Sequence, residues 1–301
     1  MNIALKQLEC VAKSEKLHLA FTDLICFSDT LWLAYRQASS HHRQDGVIVV
    51  KKQTQCGWTE QSVIRVSGDL RDPKFSISPD GNLLLNCALV DNKQLRSIVY
   101  QLEQDNWQQK AQLAAPNQWL WRMQWRKEHA FGFAYQHPNT FKFYQINQDF
   151  SSQLMLDNPL NEHRILDGYP NETGLCLDSR GKMFCLLRRD GKDPRALLGQ
   201  SEPPYQSWQW QTLNIRIGGP VLTLTKSQQL LAVVRLFAPF RTSVCQIDIN
   251  NGEIIELLAL PSSGDTSYAG MAWMSESQLQ VSYYSSHEGP SAIYLAQLKL
   301  S

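Results

Sequence analysis

The sequence predicts an all-β protein, a six-bladed β-propeller with four-stranded antiparallel blades. Three observations carry this. Short apolar and β-branched segments, broken by Gly, Asn, Asp and Ser, run along all 301 residues. No long segment shows a helical period. Six strand starts also recur at a nearly constant interval. They are Asp23, Asp72, Trp121, Glu172, Gly219 and Tyr268, separated by 49, 49, 51, 47 and 49 residues. Each unit reads as strand, turn, strand and two outer strands, the content of one propeller blade.

The segments that read as strands are LWLAYR, GVIVVKK, NLLLNCALV, SIVYQLE, HAFGFAY, FKFYQIN, KMFCLLRR, PVLTLTK, LLAVVRL, SVCQIDI, LQVSYYSS and AIYLAQLKL. Residues 72–109 show the full blade pattern best. Only 33 residues follow Tyr268, room for about three strands. Residues 1–14 are expected to supply the missing outer strand, because ring closure removes exposed sheet edges. No Gly-, Pro- or Ser-rich linker divides the chain, so one domain spanning 1–301 is expected.

Bulk properties exclude several classes. There are 29 basic and 28 acidic residues, a net charge of +1, which gives no reason to expect nucleic acid or a membrane surface as partner. The first residues lack a secretory apolar run, so the chain is expected to keep its own start at Met1. No stretch approaches the about 18 apolar residues of a membrane span. The seven cysteines (10, 26, 56, 87, 176, 185, 245) are odd in number, scattered and without a CxxC pair. They read as reduced thiols in a cytoplasmic protein, with no metal and no cofactor expected.

The chemistry-bearing stretch is GYPNETGLCLDSRGKMFCLLRRDG, Gly168 to Gly191. As a hairpin, it brings Glu172 at its opening and Arg188 at its exit to the same end. In a propeller all inner strands begin at one face, and the second strands return to it. Second-strand exits hold Arg36, Arg188, Arg235 and Tyr284; inner-strand starts hold Asp72, Glu172 and Tyr268. Three arginines, two carboxylates and the Tyr268 phenol should therefore meet in one funnel. Each has a plainer reading. The arginines could be solvated rim charges, Glu172–Arg188 a structural ion pair, Asp72 a turn cap beside Arg71, and Tyr268 a core phenol. Their shared phase with an independent period favours a site.

The order arginine, aspartate, glutamate, arginine, arginine, tyrosine along the chain resembles the sialidase superfamily of six-bladed propeller glycosidases. SPDGNL (78–83), LDSRGK (177–182) and TQCGWTE (54–60) resemble eroded forms of that family's Ser-x-Asp-x-Gly turns. The resemblance implies a retaining hydrolase that releases a terminal acidic sugar from a small carbohydrate or glycoconjugate. Arg36, Arg188 and Arg235 would clamp the sugar's carboxylate, a task that suits the guanidinium fork. Tyr268 would be the nucleophile, Glu172 its base and Asp72 the general acid. A neutral phenol can approach an anomeric carbon that bears its own carboxylate, where an acidic nucleophile would be repelled. Arg36 sits in AYRQASSHHR rather than the family's Phe/Tyr-Arg-Ile-Pro context, and it precedes Asp72 by 36 residues.

Rivals stand beside these residues. Asp45 in HRQDGV competes as the acid, although DG more often marks a hairpin turn. Arg189 and Arg241 compete with the chosen arginines. His41 and His42 lie in a loop expected to overhang the funnel, and His287 with Glu288 follows the last rim strand; His41 and His287 are the ligand-contact candidates. Trp121–Arg122 could hold a sugar, whereas Trp119 and Trp125 read as core. Gly218–Gly219–Pro220 has no following helix and is no phosphate loop. Two non-catalytic readings remain beside the glycosidase: a carbohydrate-binding propeller and a protein-interaction scaffold. A Glu–Tyr pair in contact separates the first from the second, and arginines turned outward would favour the third.

Overall fold

The segments with unbroken apolar runs and those that alternate take different places in one sheet unit. Second strands such as LLLNCALVD are buried on both faces, because a neighbouring blade covers each side. Outer strands such as NWQQKAQL keep one face in solvent and alternate. The computed structural model describes residues 1–138, 140–160 and 167–301, and β-strands build the fold among them.

Strand β1 (Ile3–Ala12) comes first. Blade 1 is β2 (His18–Phe27), β3 (Thr30–Ala38), β4 (Val47–Thr54) and β5 (Gly57–Ile64). Blade 2 is β6 (Asp69–Ile77), β7 (Leu83–Asp91), β8 (Gln94–Glu103) and β9 (Asn106–Leu113). Blade 3 has its inner strand in two pieces, β10 (Trp119–Leu120) and β11 (Gln124–Arg126), followed by β12 (His129–Gln136), β13 (Thr140–Ile146) and β14 (Ser152–Asp157). Blade 4 is β15 (Tyr169–Leu177), β16 (Met183–Asp190), β17 (Arg195–Ser201) and β18 (Gln209–Arg216). Blade 5 is β19 (Gly218–Leu224), β20 (Leu230–Phe237), β21 (Phe240–Asp248) and β22 (Glu253–Ala259). Blade 6 is β23 (Thr266–Ser275), β24 (Gln278–Ser285) and β25 (Ala292–Leu300), with β1 as its outer strand.

The expected architecture is therefore the observed one, including closure by the N-terminal strand. β1 pairs antiparallel with β25, from Ile3 opposite Leu300 to Ala12 opposite Ile293. This covers the outer edge that β25 would otherwise expose. Apolar layers fill the spaces between blades. Between blades 3 and 4, for example, Phe133 stacks on Phe141 at 4.7 Å and meets the edge of Trp208 at 4.9 Å.

The repeat has a finer physical basis than strand starts. Five inner strands carry a bulge near their beginning, with two residues opposite one on the second strand. In the sixth, the strand breaks between Leu120 and Gln124. A bulge of this kind re-aims a side chain and increases local twist. Its first residue takes the left-handed conformation at Phe21, Asp72, Gly219 and Tyr268, with φ of 58°, 50°, 53° and 48°. For a side chain larger than Gly this costs about 1–2 kcal/mol, and such conformations gather at functional sites. Two readings change in detail. Phe21, not Asp23, occupies the blade 1 bulge, and TQCGWTE spans the outer β4–β5 turn, unlike the inner-hairpin turns SPDGNL and LDSRGK.

Candidate active site

The bulges of blades 4, 5 and 6 together make the centre of the site. Asn171 and Glu172 form the bulge opposite Arg188, and Tyr268 opens the bulge of β23. The Tyr268 hydroxyl donates to Glu172 Oε1 at 2.7 Å. Arg188 Nη1 donates to both Glu172 oxygens, at 2.8 and 2.9 Å, and to the Tyr268 oxygen at 3.0 Å. Arg188 Nη2 pairs with Asp190 at 2.9 Å. The Gly219 amide donates to Glu172 Oε2 at 3.2 Å. The Arg235 guanidinium lies over the Tyr268 ring at 5.2 Å and holds Thr266 O (2.8 Å) and the Tyr284 hydroxyl (3.1 Å).

Burial and charge set the protonation of this cluster. Burial pushes the Tyr268 phenol well above its ordinary pKa, and the Glu172 charge pushes it further; Arg188 and Arg235 work against both. At rest the nucleophile candidate is therefore neutral and tied to a carboxylate that can take its proton. Burial opposes the charge on Arg188, but Glu172, Tyr268 and Asp190 outweigh it and hold that charge firmly.

Asp72 comes from blade 2. It is buried, and its Oδ1 has no hydrogen-bond partner among the described residues. Burial lifts its pKa to about 6; Lys74 opposes the rise and the Glu172 charge adds to it. Lys74, also buried, donates to Thr22 O at 3.2 Å and lies 5.2 Å from the Trp121 ring. Burial lowers its pKa to about 8, against the pull of Asp23. Tyr135 is buried nearby, its phenol raised by burial and then by Glu172, Asp72 and Tyr268.

The other expected residues divide. Arg122 grips Asp23 with both nitrogens, at 2.7 and 3.2 Å, and lines a cavity of about 250 Å³ with Phe75, Trp125 and Leu222. His41 reaches the rim, where it meets Asp265 at 2.7 Å and the Phe21 ring at 5.2 Å. Phe21 in turn packs edge-on against Tyr268 at 4.9 Å. His42 leans on His41, with ring centroids 4.6 Å apart.

Arg36 stands differently from the other two arginines of the expected clamp. Its side chain is 0% exposed, and all five N–H groups have partners inside the protein. These are Asp69 Oδ1, bonded from Nε (3.2 Å) and Nη2 (2.8 Å), and the carbonyls of Ser40, His41 and Arg43. Arg36 thus ties down the β3–β4 loop rather than facing the funnel. Arg189 holds the matching loop of blade 4 through Arg195 O at 2.8 Å and Asp193 at 3.3 Å. His287 also lies apart from the cluster, bonded to Ser285 Oγ at 3.0 Å and 4.9 Å from the Tyr294 ring. Among the rivals, Arg241 pairs with Glu256 on the outer strands and Asp45 caps the Ser39 amide. Trp119 stacks on Tyr135 at 6.0 Å, and Trp125 donates to Ser76 Oγ at 3.2 Å.

Sequence reasoning missed Asp190, Lys74, Tyr135, His18 and Asp265. Asp190 stands two residues after Arg188 and Asp265 three before Tyr268, so the alternating faces of a strand were the available signal for the first. His18, His41 and Asp265 bring their ligand atoms within 4.8 Å of one another, a cluster the scattered histidines did not announce.

No protein-family profile matches the sequence, and no curated protein matches it. Solved structures do. A Dyadobacter fermentans protein of unknown function superposes with a TM-score of 0.85 at 14% identity, covering 100% of both chains. The GH93 α-L-arabinofuranosidase of Fusarium graminearum, solved with arabinobiose, gives 0.77 at 11% identity, covering 97% of this chain and 96% of its own. The Trypanosoma rangeli sialidase gives 0.61 at 8% identity, covering 93% of this chain and 55% of its own. The chain is a six-bladed propeller of the architecture found in sialidases and GH93 enzymes. At these identities the likeness carries the fold alone.

Proposed function

We propose that the protein is a retaining exo-glycosidase of sialidase type. The carrying observation is the Tyr268 hydroxyl 2.7 Å from Glu172 with Arg188 donating to both. A protein that only binds sugars has no need of a buried phenol paired with a base. Glu172 takes the phenol proton as the Tyr268 oxygen bonds to the anomeric carbon, and Arg188 and Arg235 stabilise the charge that develops. Asp72, protonated below about pH 6, gives its proton to the departing glycosidic oxygen. Water then enters, Asp72 takes its proton, the sugar leaves, and Glu172 returns the first proton to Tyr268. The solved glycosidases of the same architecture support the reading at the level of reaction class.

The acidic terminal sugar follows from the phenol itself, since a carboxylate nucleophile suffices for a neutral one. Arg188 Nε has no hydrogen-bond partner among the described residues, and Arg188 and Arg235 form the clamp in this reading. One observation favours a neutral sugar instead: Arg36 has no N–H left for a carboxylate. Hydrolysis of fluorogenic glycosides tests both, with a sialoside, a uronide and an arabinofuranoside assayed on wild type and Tyr268→Phe. Turnover of an acidic glycoside that Tyr268→Phe abolishes is expected. Turnover that survives the substitution removes Tyr268 as nucleophile, and turnover of the arabinofuranoside alone makes the sugar neutral.

A further inference from the structure

We propose that His18, His41 and Asp265 bind one first-row divalent cation, with zinc the best match, at the seam where the propeller ring closes. The proposal does not depend on the glycosidase reading, although Tyr284 links Asp265 to Arg235. His18 lies on β2 and His41 on the β3–β4 loop, both in blade 1. Asp265 directly precedes β23 of blade 6. An ion held by all three would join the first and last blades, across 247 and 224 residues of sequence.

The geometry that makes two hydrogen bonds to Asp265 also suits a shared ion. Two imidazoles converge on one carboxylate oxygen: Asp265 Oδ2 is 3.1 Å from His18 Nε2 and 2.7 Å from His41 Nδ1. Ligands bonded to one ion at about 2.0–2.2 Å lie roughly 3 Å apart, so small ring rotations admit the metal. Asp265 Oδ1 accepts the Tyr284 hydroxyl at 2.7 Å, which orients the carboxylate as an outer-shell partner orients a metal ligand. Phe21, 6.4 Å from the His18 ring and 5.2 Å from the His41 ring, fixes both by packing. The Arg36 contacts to the carbonyls of Ser40, His41 and Arg43 fix the loop that carries His41.

The donor set selects the ion. Two imidazoles and one carboxylate suit zinc, cobalt or nickel; calcium and magnesium demand oxygen ligands. Three protein ligands leave a fourth position for water or a ligand hydroxyl. His41 and Asp265 are 35% and 31% exposed, so solvent can reach it.

The test uses full-length protein with Cys10→Ser and Cys56→Ser, which removes the two exposed thiols. After chelation, zinc is added and followed by calorimetry and thermal unfolding, and cobalt by visible absorption. The proposal predicts one zinc per chain, a rise in melting temperature and a cobalt spectrum of nitrogen–oxygen type. His18→Gln and His41→Gln should each weaken binding by at least the roughly 10–100-fold typical of outer-shell losses; His42→Gln should not. Absence of stoichiometric binding overturns the proposal, as does equal affinity in wild type and both ligand variants. The cobalt spectrum of the chain with both histidines intact needs no ligand variant, so a misfolded variant does not decide the question.

Discussion

The Tyr268 hydroxyl meets Glu172 Oε1 at 2.7 Å although the two residues belong to blades 6 and 4. The blade between them offers a glycine. Gly219 has φ +53°, and a Cβ built there would lie 3.0 Å from both Tyr268 Cγ and the Tyr268 amide nitrogen. Its amide also donates to Glu172. The glycine is what lets the pair close.

Gly219→Ala should therefore keep the fold, at a cost of about 1–2 kcal/mol for the left-handed alanine, and displace Tyr268. A misplacement of about 1 Å lowers turnover roughly 100-fold. Turnover of the responsive glycoside and thermal unfolding measure the two effects separately. Full activity in this variant would mean that the contact does not matter to the chemistry.

Asp72 makes the pH dependence predictable. With its pKa raised to about 6, Asp72 in the proposed role of general acid holds its proton below that pH and loses it above. kcat/KM should fall on the alkaline side from about pH 6. Asp72→Asn should remove that limb and lower turnover about 10²–10⁴-fold. The loss should be largest for substrates with poor leaving groups.

The same shift predicts a stability effect. The folded pKa, about 6, lies above the ordinary 3.8. The stabilisation that goes with the bound proton is complete below pH 3.8 and is lost as pH rises through 6. Asn carries no charge and tolerates φ > 0. Asp72→Asn should thus be more stable than wild type at pH 8, by about 2–3 kcal/mol, and close to it at pH 4. Thermal unfolding at both pH values checks the sign.

Arg36→Lys separates scaffold from clamp. Lysine keeps the charge but offers three donors where the arginine uses five. The loop and Asp69 are left partly unsatisfied, so urea denaturation should show a loss of about 3 kcal/mol. A variant of unchanged stability with raised KM for an acidic sugar would restore the clamp role.

The fold was legible because a propeller repeats its strands, and a period near 49 persists even where individual turns differ in sequence. The charge pair Glu172–Arg188 and the Tyr268 partner were legible for the same reason. Phase alone does not separate Arg36 from Arg235: Arg36 pairs with Ala20 ahead of the bulge as Arg235 pairs with Gly218. What differs is the loop that follows: Ser40, His41 and Arg43 turn their carbonyls onto Arg36, while Arg235 meets Tyr284 and the Tyr268 ring. No spacing rule encodes where a loop carbonyl points. Asp265 was hidden similarly, because its partners His18 and His41 lie across the closing seam.

The most direct test of the central claim is to trap the sugar on the protein. Wild-type protein is incubated with an activated fluorinated analogue of the responsive glycoside, and the adduct is mapped by peptide mass spectrometry. The account predicts one glycosyl group on the peptide containing Tyr268, absent from Tyr268→Phe. An adduct on Glu172, or turnover with inversion and no adduct, would contradict it.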